Sequence, residues 1–441
     1  MSKFNGKKVL IAMTGRRDST VAAYLLKKQG YECLGITFLM SPEDLLTKQI
    51  DHLHKNVDSK SENDTSLEEI KKNMLISKEK LYSRCHVSEI NKVSEICNKL
   101  DITFYGVKAE DRFSAEVIDR LVGNKLGGKT FSTCVYCNNV KLTLLHEKAI
   151  ELGCDHIATG HYAKVVANLK SGRSFIHAAN DFKHDQSYLL SRVPQQILKK
   201  LILPLSETRL EEVEKVMNMI DFELLPSSQP NNLCYIGDAR LPSLIEVCSS
   251  SHLLRTGHIF LQRDNIMNSE HRGIHNYDVG KTGFKLGNDI KLETKLVISE
   301  LVSAAGSVVV SPVNDLYFDR IKLQNTSLDP NMDISKPFCG FIKLSMNSEL
   351  LPCDVYFKNF NSAIIQFNQK INGTIATGTT VVVYNKNGIS GRIVMSGEVG
   401  IYGVIHKNKL VNYVRPVEDP EEEAEEESDE VTTTLLPKDF H

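Results

Sequence analysis

Three short stretches carry residues able to make or break bonds. The first, Thr14-Gly15-Arg16-Arg17-Asp18-Ser19-Thr20, follows an apolar run and precedes a helical pattern. A loop in that position turns backbone N–H groups and the positive helix end toward an anion, which suits a nucleotide phosphate. Asp18 could orient Mg²⁺, and Thr14 and Ser19 could donate hydroxyls; an ordinary strand–helix turn is the plain alternative. The second, Cys134-Val135-Tyr136-Cys137-Asn138, is a C-x-x-C pair. Alone it reads as half a zinc site, a redox pair or two ordinary thiols. An amphipathic pattern from Val140 places it just before a helix, whose N-terminal dipole lowers a thiol pKa. The third, Asn231-Asn232-Leu233-Cys234-Tyr235-Ile236-Gly237, reads alone as a buried cysteine beside a turn.

The surrounding pattern must position these residues. Strand-like runs at Lys8–Met13, Tyr31–Leu39, Thr103–Lys108 and Asp155–Thr159 alternate with helical spacing over Ser19–Gln29, His86–Leu100 and Val140–Leu152. That alternation predicts a doubly wound α/β fold, a parallel sheet with helices on both faces. Ligands of such folds bind at the carboxyl ends of the strands. Ser41–Arg84 is polar and reads as a surface insertion. A helix pattern near Leu205–Asp221 leads into a loop-rich stretch to about Gly287. From Ile290 onward, short β-rich runs separated by Gly and Asn turns predict a small antiparallel barrel or sandwich. The expected division is a catalytic domain over 1–204 with the insertion 41–84, a central domain over 205–288 carrying Cys234, a β-barrel over 289–417 and a tail over 418–441.

Composition narrows the classes. Of 55 acidic and 53 basic residues, eleven acidic and one basic lie in 418–441, leaving 52 basic against 44 acidic residues in the body. The tail reads as acidic and disordered. A mildly basic body tolerates a polyanion such as RNA. No apolar run of about 18 residues appears, so no membrane span is expected. The start runs directly into Val9-Leu10-Ile11-Ala12-Met13, a strand rather than a leader, and the cytoplasm is the expected compartment. Ten scattered cysteines read as reduced thiols.

The first loop resembles the S-G-G-x-D-S loop of ATP pyrophosphatases, with Arg16 and Arg17 in place of the second glycine and the variable residue. Taken in order, this loop, C-V-Y-C-N at 134–138, A-T-G-H-Y at 158–162, D-Q-S-Y at 185–188, L-C-Y-I-G at 233–237 and the G-x-H-x-Y segment from Gly273 to Gly280 resemble the tRNA-specific 2-thiouridylases. The resemblance covers roughly residues 7–415 and weakens after Gly280. It departs at Ser132-Thr133, where the family has Asn-Pro, and at Lys281-Thr282-Gly283. The Arg-Tyr pair the family uses on tRNA has no clear counterpart near Lys343.

The resemblance implies an ATP pyrophosphatase-type catalytic sheet holding ATP on Ala12, Met13, Thr14, Gly15, Arg16, Arg17, Asp18 and Ser19, with Phe38 and Gly160 near adenine and ribose. Mg²⁺ would sit at Asp18. It implies adenylation of a wobble uridine and sulfur delivery by a Cys234 persulfide, with Cys137 as partner thiol and Cys134 in an acid/base position. Ser132, Thr133, His161, His184, Asp185 and Gln186 match tRNA-contacting positions. A sulfur-donor protein and a monomer or weak dimer are implied as well. An iron–sulfur cluster on Cys134, Cys137 and Cys234 is a different use of the same thiols. A member that binds tRNA but cannot adenylate, because of Arg16 and Arg17, is the alternative function.

Overall fold

The computed structural model describes residues 5–40, 42, 45, 48–49, 52, 89–220, 222–225, 241–261, 266–282 and 295–400. Leu233–Gly237 with Cys234, most of the 41–84 insertion and the 418–441 tail lie outside these residues.

Five parallel strands form the first sheet. They are β1 (Lys8–Ala12), β2 (Glu32–Leu39), β3 (Thr103–Lys108), β4 (His156–Ala158) and β7 (Leu201–Ile202), in the order β3-β2-β1-β4-β7. Between β4 and β7 the chain makes an antiparallel hairpin, β5 (Lys164–Asn168) with β6 (Arg173–His177). Alternate residues of β1 enter two cores, because strand side chains point to opposite faces. Val9 and Ile11 pack with Ala23, Leu26, Val93 and Ile96 from the helices Arg17–Lys28 and Ile90–Lys99. Leu10 packs with Leu121, Val140 and Leu145 from the helices Asp119–Leu126 and Thr133–Glu151. Burial on both faces is what a central parallel strand requires. The strand order reverses at β1, so the crevice between the carboxyl ends of β1 and β4 is the topological switch point.

The four expected strands are present within a residue or so of their expected ends. The two-residue β7 is too short to show a period, and the sequence reading has no strand there. The helix expected from Val140 begins instead at Thr133. Thr-Cys-Val-Tyr-Cys-Asn-Asn is weak helix material by intrinsic propensity, so packing must decide. Val135 and Cys137 are buried on two sides of that first stretch, in different clusters. The helix expected near Leu205–Asp221 spans Leu210–Ile220.

The loop-rich reading before Gly287 is corrected in part. A helix, Leu241–Cys248, precedes β8 (Gly257–Leu261) and β9 (Ile266–His271). These strands join β10 (Leu296–Val302) and β11 (Ser307–Pro312) in a mixed sheet of order β10-β11-β8-β9. Strands from both sides of residue 288 thus share one sheet.

The C-terminal strands close into an antiparallel barrel: β12 (Tyr317–Leu328), β13 (Phe338–Lys343), β14 (Leu351–Phe357), β15 (Ala363–Asn372), β16 (Thr380–Tyr384) and β17 (Ile393–Val399). Their order is β12-β15-β14-β13-β16-β17, and closure leaves no free edge. Ile321, Leu323, Val355, Ile365, Val381 and Val383 fill the interior. On β16 the outward residues Val382 and Tyr384 are buried too, against Val135 and Tyr188 of the first domain. That strand therefore reads as a continuous apolar run, because both of its faces are covered. Among the described residues, no helix is long and apolar enough to cross a membrane.

Candidate active site

The loop after β1 and the loop after β4 meet at the switch point. Gly15 takes a left-handed backbone, φ +69°, and Arg16 an extended one, φ −109°. The one conformation that favours glycine thus falls on the glycine, and the arginine after it costs no backbone strain. Ser19 Oγ receives the Thr14 N–H at 3.1 Å, lies 2.9 Å from Thr14 Oγ1 and donates to the Arg16 carbonyl at 3.1 Å. The Arg16 guanidinium turns away to the Thr14 carbonyl, 3.1 Å, and into an ion pair with Glu89. Arg17 Nε donates to Asp18 Oδ1 at 3.0 Å, and its guanidinium reaches Glu214 at 3.2 Å.

Gly160, just after β4, lies against the start of the helix Arg17–Lys28. A Cβ there would fall 2.6 Å from the Asp18 carbonyl carbon and 2.8 Å from the Ser19 nitrogen. Only glycine admits that approach. It brings Tyr162, whose hydroxyl donates to Asp18 Oδ1 at 3.0 Å. Burial first, then the Asp18 charge, pushes the Tyr162 phenol above its ordinary range, so it stays a donor. His161 Nδ1 is 2.8 Å from Thr159 Oγ1. Burial, reinforced by the Lys141 charge and opposed by Asp18, lowers the His161 imidazole to about 4. His161 is therefore a neutral hydrogen-bonding group near pH 7. Phe38 is buried near the end of β2 and packs in the core beside Ile36 and Met40.

The loop's hydroxyls, its helix end and the second oxygen of Asp18 fit a nucleotide phosphate and a cation held with it. Ser19 and Thr14 already face one another at the helix start, and of the two Asp18 carboxylate oxygens it is Oδ1 that receives Arg17 and Tyr162.

The second thiol-bearing element is the helix Thr133–Glu151, which packs on β1 and β4, the strands carrying the two loops. Cys134 lies in its first turn and is half-buried, whereas Cys137 is 9 % exposed and belongs to the core. The pair is thus at the start of the helix rather than before it. The eight described cysteines are unbridged thiols. Among the described residues, no group of three or more His, Cys, Asp or Glu could hold a metal. Cys234, the third thiol of the expected cluster, lies outside them, so the structure offers that cluster no support.

The expected RNA-contacting residues divide. Asp185 is buried and receives N–H groups from Ala179 at 3.0 Å and Ser187 at 3.2 Å, and the Ser187 hydroxyl at 2.7 Å. Lys343 of β13, also buried, pairs with it at 3.4 Å, and the Tyr384 hydroxyl lies 2.9 Å from Ser187 Oγ. Asp185 is therefore a bolt between the two domains, not a surface group. Ser132 Oγ accepts the Thr380 N–H of β16 at 3.0 Å, and Thr133 is buried. His184 and Gln186 stay half-exposed beside the bolt. His184 Nδ1 is 2.9 Å from Asp181, and Gln186 Oε1 accepts the Tyr162 N–H at 3.2 Å. Sequence reasoning missed Glu89 and Tyr162 as partners of the loop, and Lys343 as the partner of Asp185. Tyr162 lies inside the A-T-G-H-Y motif, which was its signal. Glu89 and Lys343 gave none, since each meets its partner only through folding.

Residues 7–76 and 64–238 match the family described as the tRNA methyl transferase HUP domain. Among curated proteins, the chain is 25 % identical to a tRNA-specific 2-thiouridylase MnmA of Clostridium acetobutylicum, over 86 % of this chain and 96 % of that protein. It is 25 % identical to the protein of that name from Clostridioides difficile, over 92 % and 99 % of the two chains. A third, from Lachnoclostridium phytofermentans, is 29 % identical over 71 % and 79 %. With its parallel sheet, switch-point loop and thiol-bearing helix in that order, the chain belongs to the tRNA methyl transferase HUP domain family.

Proposed function

We propose that this protein is an ATP-dependent tRNA-uridine 2-sulfurtransferase acting in the cytoplasm. One observation carries the reading: a single parallel sheet presents the phosphate-type loop after β1, the Gly160–Tyr162 loop after β4 and the Cys134–Cys137 helix start on neighbouring elements. The names and full-length coverage of the curated relatives support it.

In this reading, ATP lies across Ala12–Ser19, with Phe38 and Gly160 flanking the nucleoside. Gly160 acts by letting the two loops meet. Thr14, Ser19 and the helix end hold the phosphates, and Asp18 takes Mg²⁺, which neutralises phosphate charge when bound. The C2 oxygen of the target uridine attacks the α-phosphate, and pyrophosphate leaves. That converts a poor leaving group into AMP. A sulfur-donor protein loads Cys234 as a persulfide. The Cys137 thiolate attacks the Cys234 sulfur and displaces hydrosulfide, which attacks C2 and expels AMP. The Cys137–Cys234 disulfide that remains is reopened by an external thiol. Disulfide formation requires the two Cα atoms to approach within about 4.4–6.8 Å. Cys134 serves the proton transfers. His161, His184 and Gln186 contact tRNA, Asp185 fixes the segment that carries the last two, and Ser132 and Thr133 fix the helix start. The functional division is a catalytic domain over 1–204, a Cys234-bearing region from 205 through the strands β8 to β11, and a barrel from β12 onward.

The test is incubation of the full chain, prepared without oxygen, with unmodified tRNA, ATP, Mg²⁺ and a sulfide source. Digested nucleosides are then examined by mass spectrometry. We expect 2-thiouridine with the natural protein and none with Cys137→Ser or Cys234→Ser. tRNA binding without pyrophosphate release would instead identify a member that cannot adenylate. Product undiminished in both cysteine variants would overturn the sulfur relay.

A further inference from the structure

A second concave site lies away from the phosphate-type loop, where the barrel meets the first domain. It is a cleft of about 630 Å³, within the range of sites that hold small ligands. Its floor is Tyr136, which stands between the two thiols in sequence and stacks on Phe131 at 4.6 Å between ring centroids. The Arg120 and Arg192 guanidinium carbons lie 5.5 and 5.6 Å from the Tyr136 ring. Lys129 completes the cationic wall.

Three cations face one carboxylate, Glu398, and Glu398 is already engaged. It accepts the Tyr136 hydroxyl, receives Asn325 Nδ2 at 3.0 Å and lies 3.7 Å from Arg192. Among the described residues, neither Arg120 nor Lys129 has a carboxylate partner, and the buried Arg192 Nε has no partner. The cleft thus holds unspent positive charge beside aromatic surface.

The walls are built rather than accidental. Asn325 sits at an irregularity in β12 with a left-handed φ of +51°, unusual for a residue other than glycine. In that conformation its carbonyl accepts Arg192 at 2.7 Å while its amide holds Glu398. Bulges that re-aim side chains in this way recur beside functional sites. Gly378 lies so close to the first domain that a Cβ would fall 2.2 Å from the Thr130 carbonyl oxygen. The neighbouring Thr130 N–H to Thr377 carbonyl bond, 2.8 Å, fixes Lys129 and Phe131 against the barrel.

Guanidinium and aromatic planes take an unstacked base, and free cations take its phosphate; this is the chemistry by which single-stranded RNA is held. We infer that the Tyr136 cleft seats one RNA nucleotide of the substrate loop other than the nucleotide that reacts. Because Tyr136 shares a helical turn with Cys134 and Cys137, a nucleotide held there sets the register of its neighbour at the thiols. The inference rests on the tRNA reading above.

The test uses the full chain and a fluorescent, unmodified tRNA, titrated by anisotropy over a range of salt. Arg120→Ala with Lys129→Ala should weaken binding at least tenfold near 0.1 M salt, an order-of-magnitude expectation, and flatten the logarithmic salt slope by about one to two. Lys170→Ala, in the exposed turn of the β5–β6 hairpin, should leave both unchanged. No binding by the natural protein would sink the tRNA reading itself. Normal binding by the natural protein with unchanged affinity and slope in the double variant would sink the cleft alone. In a second arm, 5-bromouridine is placed singly at each loop position and irradiated. Crosslinks to Phe131 or Tyr136 from a position other than the target are expected. Crosslinks there only from the target, or from no position, would overturn the assignment.

Discussion

At the crevice between β1 and β4, Arg16 pairs with Glu89 and Arg17 with Glu214 on other elements, Asp18 pairs with its neighbour Arg17, and all three pairs remain partly exposed. At the seam between the parallel sheet and the barrel, Asp185, Ser187, Lys343 and Tyr384 share a network closed to water. Exposed pairs contribute little to stability and exchange partners readily. A buried charge with all its hydrogen bonds made cannot give up a partner without a large cost. The crevice is therefore the place where an incoming anion can replace a carboxylate, and the seam is the place that holds the frame still while it does.

Several substitutions would break or sharpen this contrast. The largest effect is expected at the seam. Asp185→Ala leaves the Lys343 ammonium buried and unpaired, a loss of about 3–5 kcal/mol by analogy with other severed buried pairs. Urea unfolding followed by circular dichroism checks it. At the crevice, Gly160→Ala pushes the β4 loop off the Asp18–Ser19 backbone. It should cost roughly a hundredfold in kcat/KM for ATP, the scale of an ångström-sized misplacement, while the melting temperature changes far less than in the seam variant. Pyrophosphate release kinetics read it.

A third test uses pH. The His161 imidazole titrates at about 4 in the folded chain, below the ordinary histidine value of about 6.5. The unfolded chain therefore binds more protons between those values. Its contribution to stability is complete above about pH 6.5 and is lost as pH falls toward 4. In His161→Gln, the fall of the urea midpoint across that window should be shallower than in the natural protein; an identical profile would remove His161 as its source. The smallest effect is expected from Glu89→Gln. Loss of the charge in this mostly covered pair, whose side chains are 15 % and 19 % exposed, should change stability by about 1–2 kcal/mol. The released Arg16 should tighten ATP binding a few-fold, which calorimetric titration would detect.

The sheet and barrel were legible because their signals are local. The apolar runs of β1 and β2, and the short apolar runs from Ser307 onward, mark strands without reference to distant partners. The start of the helix Thr133–Glu151 was not legible, because its first turn is held by burial of Val135 and Cys137 and by Ser132 meeting Thr380, residues about 250 positions apart. The candidate site was readable as a list of motifs but not as a geometry. The comparison with the S-G-G-x-D-S loop sets Arg16 where a glycine stands and makes it one ground for a member that cannot adenylate. The structure gives the strained φ to Gly15 and turns Arg16 to Glu89, a partner about seventy residues away that no local pattern marks. Asp185 is expected to contact RNA only because it matches a tRNA-contacting position of the resembled family. Its partner Lys343 sits on a barrel strand far along the chain, so its burial could not be read locally.

Ser132 precedes the thiol-bearing helix and yet makes no cap to it; its hydroxyl serves the barrel instead. Synthesis therefore imposes an order. The ribosome delivers Cys134 and Cys137 early, but the strand that pins their helix start emerges some 250 residues later. Until β16 arrives, the helix start that carries the thiols lacks the Ser132–Thr380 bond and the cover that Val382 and Tyr384 give Val135. A chain stalled or cleaved before Thr380 would carry its phosphate-type loop but not a set thiol-bearing helix start. Completion of the polypeptide thus acts as a licence for the chemistry of its first half.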